Sequence, residues 1–259
     1  MPNNILSAIS NIVAFGSNDL RNYASTYLIR INAVGEQLEF YIKDAIAGSF
    51  KLSQDKKEEA YSKVFSYLGN QNNPPDMIIK GSDAFEIKKI ESPRAALALN
   101  SSPPKDKLLS DDIRITAACK NCEAEEWKEK DLFYVIGHAQ GGEAKYLFFI
   151  QGTCYAANHQ VYEKERKNLK KIRNKDSFNF NPRYGRIKNP LIYFKKYFEY
   201  TPNKFNIYAV IETKKYLSFS RKDRRDLESF NNIEVKDINI PLPANQNQMM
   251  DAKLISCVI

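Results

Sequence analysis

The chain has 259 residues, 43% hydrophobic and 12% aromatic, with 39 Lys and Arg against 31 Asp and Glu for a formal net charge of +8. That balance excludes a disordered, collagen-like or disulfide-rich chain and leaves a globular protein with a sizeable core, whose basic excess suits a polyanionic partner. No apolar run approaches the ~20 residues of a membrane span, the first 18 residues lack the basic start and cleavage site of a signal peptide, Ser256 stands where prenylation needs a cysteine, and four cysteines are too few for a disulfide scaffold; a cytoplasmic protein with no membrane attachment is expected.

The first expected element is a helix over residues 32–48, where Leu38, Tyr41, Ile42, Ala45 and Ile46 recur at helical spacing and Gly48 closes it. Glu39 borders its buried face near Ile42 and Ile46, while Glu36 points further toward water. A glutamate at that border can reach a neighbouring sheet and serve a metal there; the plainer reading is a surface glutamate. Asp55 and Glu58 have the spacing of a capping box opening a second helix. Its stripe would be Tyr61, Val64, Phe65 and Leu68, with Gly69 as its stop.

Residues 71–75 read as a loop leading into a hairpin. Asp76 enters the first strand, Gly81 and Ser82 turn the chain, and a second strand carries Phe85, Glu86, Ile87 and Lys88. Side chains alternate along a strand, so Glu86 and Lys88 share one face and Phe85 and Ile87 the other. The hairpin can bring Asp76 alongside Glu86 and Lys88. Two carboxylates and an ammonium on one face can hold a hard divalent cation and keep a lysine near a water, which is what metal-assisted phosphodiester hydrolysis needs. Asp83 is a rival ligand, but it falls in the turn. The bland alternative is an edge hairpin with a solvated charged face.

Residues 92–107 read as a long loop with a short helical turn at 95–99. The loop offers Arg94, Asn100, Ser101, Ser102, Lys105 and Lys107 to DNA. Arg can bond guanine and Asn adenine through two hydrogen bonds, whereas Ser and Lys more often touch phosphate. A helix is expected from Ser110 to Cys119. Residues 131–138 and 144–152 read as paired strands around Gly141 and Gly142. A charged helix over 160–172 follows. The irregular basic segment 174–189 then presents Arg183, Tyr184, Arg186 and Lys188 as a second DNA candidate. Strands are expected at 206–212 and 233–240, separated by a helix at 220–230 whose Arg221, Lys222, Arg224 and Arg225 read as a solvated face. The tail from Pro241 is expected to be mobile at 245–250. No repeat or linker divides the chain, so a single domain over residues 1–259 is favoured.

Cys119 and Cys122 have zinc-knuckle spacing, and Cys154 with His159 could complete a tetrahedral structural Zn2+ site. The plainer reading is free thiols. His138 reads as structural.

Pro75-Asp76, nine intervening residues and then Glu86-x-Lys88 resembles the PD-(D/E)xK nuclease superfamily. The wider runs 47–50, 64–70, 73–76, 86–92, 96–102 and 118–123 resemble the NgoPII family of type II restriction endonucleases, over roughly residues 30–155. The resemblance implies an α/β (α+β mixed) fold, a central mixed sheet flanked by helices. It also implies a homodimeric, Mg2+-dependent enzyme that cuts both strands of double-stranded DNA at a short palindrome such as GGCC. In that family pattern Asp76 and Glu86 bind the metal, Lys88 orients or activates the attacking water and Glu39 is an accessory carboxylate. A cognate DNA methyltransferase would act on the same site without necessarily binding the enzyme. Residues 30–155 would be the catalytic core, and residues 156–259 a DNA-binding or dimerisation elaboration. The alternatives are a structure-specific or repair nuclease of the superfamily, and a non-catalytic zinc-stapled nucleic-acid-binding protein.

Overall fold

Residues 132–136 and 146–150 are apolar at every position, so their strands must be covered on both faces. The computed structural model covers them; it describes residues 3–23, 33–70, 73–98, 104–175, 186–243 and 245–259. In chain order it contains α1 (Ile5–Phe15), α2 (Ala33–Ala47), α3 (Gln54–Val64), β1 (Phe65–Asn70), β2 (Asn73–Ile79), β3 (Ala84–Ile90), β4 (Leu97–Ala98), β5 (Lys107–Leu109) and α4 (Ala117–Lys120). It continues with β6 (Glu129–Gln140), β7 (Glu143–Gln151), α5 (His159–Lys175), β8 (Arg186–Ile187), α6 (Pro190–Tyr193), β9 (Asn206–Glu212), α7 (Thr213–Ser218), α8 (Arg221–Glu228), β10 (Ile233–Leu242) and β11 (Asn245–Val258).

Nine strands form one mixed sheet in the order β1-β2-β3-β6-β7-β9-β11-β10, with β5 added on β6. β3 runs parallel to β6 and β7 parallel to β9, and the other neighbours are antiparallel. Strand alternation sorts the core. Phe133, Val135, Leu147, Phe149, Ile207 and Ala209 pack under α1, α2 and α8. Tyr134, Ile136, Tyr146, Phe148, Tyr208 and Val210 face the opposite cluster, with α4 and α6. This is the expected fold class, a large mixed sheet flanked by helices.

The hairpins β2–β3 and β6–β7 and the helix α2 fall where the pattern places them. Other elements differ. α1 has no counterpart among the expected elements; Ile5, Leu6, Ile9 and Ile12 are fully buried, and the Asn4 side chain accepts from the Leu6 and Ser7 amides at 2.9 and 3.0 Å. α3 is capped at Ser53, not by an Asp55–Glu58 box, and it stops at Val64. Phe65, Leu68 and Gly69 lie in β1 because pairing with β2 (Phe65 with Ile79, Leu68 with Met77) outweighs their helical spacing. Residues 95–98 hold the short strand β4 in place of a helical turn. The helix expected from Ser110 shrinks to α4, whose Thr116 cap accepts from the Cys119 amide. Residues 245–250 open the 14-residue strand β11 rather than a mobile tail. Asn100, Ser101, Ser102, Arg183 and Tyr184 lie outside the described residues. No helix among the described residues is long and apolar enough to cross a membrane.

Candidate active site

The β2–β3 ladder pairs Met77 with Phe85 and Ile78 with Ala84. One step further along that register Asp76 stands across from Glu86. There the ladder ends on a side chain: Asp76 Oδ2 accepts the amide of Ile87 at 2.5 Å. Gly69 allows the approach from the other side, since a Cβ on it would meet the Pro75 carbonyl oxygen at 2.3 Å. Glu86 and Lys88 are both half-buried on one face of β3, and Lys88 Nζ donates to Glu86 Oε1 at 2.5 Å. The second oxygen, Glu86 Oε2, is buried and has no hydrogen-bond partner among the described residues.

An orphaned carboxylate oxygen facing a second acid is unfavourable without a cation. Burial, reinforced by the Glu86 charge, pushes the Asp76 carboxyl up to about 7. Burial works against the Lys88 ammonium too, but Glu86 and Asp76 together outweigh it and its pKa is raised. The donors are hard oxygens, and one lone pair set is unused, so a hard divalent cation fits this pair. Glu39 is less close than expected. It bonds Lys43 at 2.8 Å, one turn along α2, and reaches Asp76 only as a minor charge. Among the described residues no three His, Cys, Asp or Glu side chains are grouped to hold a metal, so the acids are a pair and not a trio. Glu36 lies in the first turn of α2.

On the same face Glu86 is paired across β3–β6 with Tyr134. The Tyr134 hydroxyl oxygen accepts the Lys105 amide at 2.6 Å. Lys105 is therefore turned inward, 6% exposed, and not displayed on the loop surface where a DNA contact was expected. Its Nζ lies 3.4 Å from Asp112, and burial, opposed by Asp112, lowers its pKa. Asp112 also holds Arg114 through two hydrogen bonds of 2.8 and 3.0 Å. Tyr134, Asp112 and Arg114 had no motif to announce them; the strand register brings Tyr134 to Glu86, and the folded loop brings Asp112 and Arg114 to Lys105. Of the expected DNA contacts, Arg94 is exposed, Lys107 is paired with Glu129 and Arg186 lies in β8.

The four expected zinc ligands do not converge. Cys119 is buried at α4 and Cys122 lies 3.7 Å from the Ser66 hydroxyl. Cys154 Sγ lies 3.6 Å from Met250 Sδ, and His159 Nδ1 is 3.8 Å from Asp106. Asp83, the rival ligand, is buried at 3% exposure and bonded to Lys215 at 2.9 Å. His138 is buried against the Tyr146 ring, a structural position.

No solved structure matches the chain. The family model of the NgoPII restriction endonuclease matches residues 3–183, further at both ends than the motifs of residues 30–155 suggest. The type II restriction enzyme NgoPII of Neisseria gonorrhoeae is 35% identical over 277 aligned positions, covering 98% of this chain and 99% of the relative. A site of two acids and a lysine on a mixed sheet, with similarity along almost the full length, places this chain in the NgoPII family of type II restriction endonucleases, as a site-specific deoxyribonuclease.

Proposed function

We propose that the chain hydrolyses phosphodiester bonds of double-stranded DNA in a Mg2+-dependent reaction at a short palindromic site, with GGCC the first sequence to test. The observation that carries this reading is the buried, partnerless Glu86 Oε2 beside Asp76, whose carboxyl is pushed up to about 7. That arrangement is unfavourable as a resting structure and becomes favourable when a cation joins it.

Asp76 and Glu86 would hold the Mg2+, which supplies Lewis-acid neutralisation of the phosphate charge when bound. The amide of Ile87 fixes the Asp76 carboxylate, so its free oxygen keeps one direction. Lys88 is anchored on Glu86 Oε1 and retains two further N–H donors for a water or a phosphate oxygen. The Glu86 and Asp76 charges outweigh burial and raise its pKa, which favours the ammonium and a role in orienting the water and stabilising charge.

A palindromic site read on both strands calls for two active sites, and a homodimer supplies them by symmetry. The whole chain then acts as one domain, with its catalytic core at about residues 30–155. Residues 156–259 add DNA-binding or dimerisation surface, including α5. The enzyme works in the cytoplasm, with a cognate methyltransferase acting on the same sequence. Digestion of a long plasmid with Mg2+, followed by sequencing of the fragment ends, tests the reading. Discrete fragments with one common end sequence support it. A smear removes the sequence specificity, and intact DNA at every Mg2+ concentration removes the reaction.

A further inference from the structure

A cleft of about 300 Å3 opens between the loop holding Lys105 and the first turns of α5, on the far side of Lys105 from the acidic pair, whose Glu86 charge Lys105 feels. Lys105, Asp112, Arg114, Glu163 and Arg166 line it. Its inner wall is tied once to a neighbour of the active site and once to the end of β7. The Lys105 amide is bonded to Tyr134, the strand neighbour of Glu86. Gly152, where a Cβ would meet the Lys105 and Asp106 carbonyl oxygens at 2.6 and 2.3 Å, lets that loop lie against the end of β7.

The two arginines in the cleft are held but not used up. Asp112 grips Arg114 through Nε and one terminal nitrogen, and it also draws in Lys105 Nζ at 3.4 Å. Glu163 grips Arg166 through one terminal nitrogen at 2.6 Å. A guanidinium carries five N–H donors in a rigid fork, so each arginine keeps donors for a ligand. Arg166 Nε is buried and has no hydrogen-bond partner among the described residues. A buried charged donor left in this state awaits an acceptor.

We propose that this cleft is a phosphate clamp: it takes a DNA backbone phosphate close to the scissile one, on Arg166 and Arg114 with Lys105 at its inner wall. The proposal rests on the nuclease reading, because it requires DNA across the same face of the sheet. A phosphate presents the acceptor oxygens that a guanidinium fork matches. It also explains why Lys105 is held inward, since a contact beside the acids sets the position of the strand where an exposed loop cation would not.

Binding of a short duplex, followed by fluorescence anisotropy across a salt series without divalent metal, tests the clamp separately from cleavage. Each phosphate contact contributes about 0.9 to the slope of log affinity against log salt. Arg166→Ala is expected to make the slope shallower by about that amount and to weaken low-salt binding several-fold. Arg114→Ala is expected to do the same and serves if Arg166→Ala misfolds by circular dichroism. Lys222→Ala, on α8 and paired with Asp226, keeps the wild-type slope. A folded Arg166→Ala or Arg114→Ala protein with the wild-type slope overturns the clamp, whether or not its affinity falls. Plasmid cleavage in Mg2+ reads the nuclease assignment independently, so loss of one result does not imitate loss of the other.

Discussion

Two clusters of one composition, two carboxylates and a lysine, stand on β3 and beside it. At its start Lys215 Nζ bonds both Asp83 and Asp131 at 2.9 Å, reaching in from α7. In its middle Lys88 bonds Glu86 and does not bridge to Asp76. A lysine arriving from another element can sit between two acids and bond one oxygen of each, although Asp83 Oδ2 is buried without a hydrogen-bond partner among the described residues. A lysine two residues along the same strand shares a face with its neighbour and bonds that acid alone, reaching the other only through its charge. Burial raises the Asp83 carboxyl against the pull of Lys215, whereas at Asp76 the Glu86 charge adds to burial. In the first cluster the lysine bonds both acids; in the second it bonds one and leaves the other unbridged.

The comparison breaks most readily at the second cluster. Asp76→Asn, Glu86→Gln and Lys88→Met should each lower plasmid cleavage on the order of 1,000-fold, about 4 kcal/mol of transition-state stabilisation, while duplex binding persists. Lys88→Met cutting at the wild-type rate would remove the assignment. The first cluster should answer in stability. Lys215→Met leaves Asp83 buried without its cation and should destabilise the fold by about 3 kcal/mol, a drop of roughly 10 °C in Tm. Its cleavage rate per folded molecule at low temperature should stay at the wild-type value. A Lys215→Met protein that melts normally but cuts poorly would reverse the two roles.

The sequence exposes the hairpin of the candidate site because alternation and a Gly-Ser turn are local signals, and Asp76, Glu86 and Lys88 follow from them. It hides β1, because Tyr61, Val64, Phe65 and Leu68 repeat like a helix and only β2 reveals that the last two belong to a strand. It hides β11, whose start is Asn245, Gln246, Asn247 and Gln248; the buried Ala252 and Leu254 further on are the better guide, and β9 and β10 on either side complete the pairing. The cleft is least legible. Lys105 reads as an exposed loop cation, and Asp112 and Arg114 as the start of a helix. Lys105 is held inward by Tyr134, which a one-dimensional reading cannot set opposite Glu86 without the parallel β3–β6 register.

The pH response sharpens the contrast in metal-free protein. The folded Asp76 carboxyl is raised from 3.8 to about 7, so the native state keeps a proton that the unfolded chain has released. This group's contribution to stability is full below the unfolded value and is lost as pH rises through about 7. Between about pH 5 and 7 the fold should lose about 2 kcal/mol from it. Melting curves should show that slope without divalent metal and a flatter one with Mg2+, which favours the ionised acid. Glu86→Gln should flatten it as well, because it removes the second-largest cause of the shift. A wild-type profile that ignores Mg2+ would mean that no cation joins the pair.

Glu39 gives the smallest expected effect and decides where the site ends. Its carboxylate is engaged by Lys43 and is the last of the charges that raise both Asp76 and Lys88. An acid that acts only through its field should, as Glu39→Gln, raise the Mg2+ concentration for half-maximal cleavage by less than about 10-fold, below the range of groups that orient a metal ligand directly. The Asp76 titration should move slightly downward in the same variant, since one negative neighbour is gone. Cleavage lost as completely as in Glu86→Gln would make Glu39 a ligand. It would then have to leave Lys43 on binding, and α2 would join β2 and β3 as a third wall of the metal site.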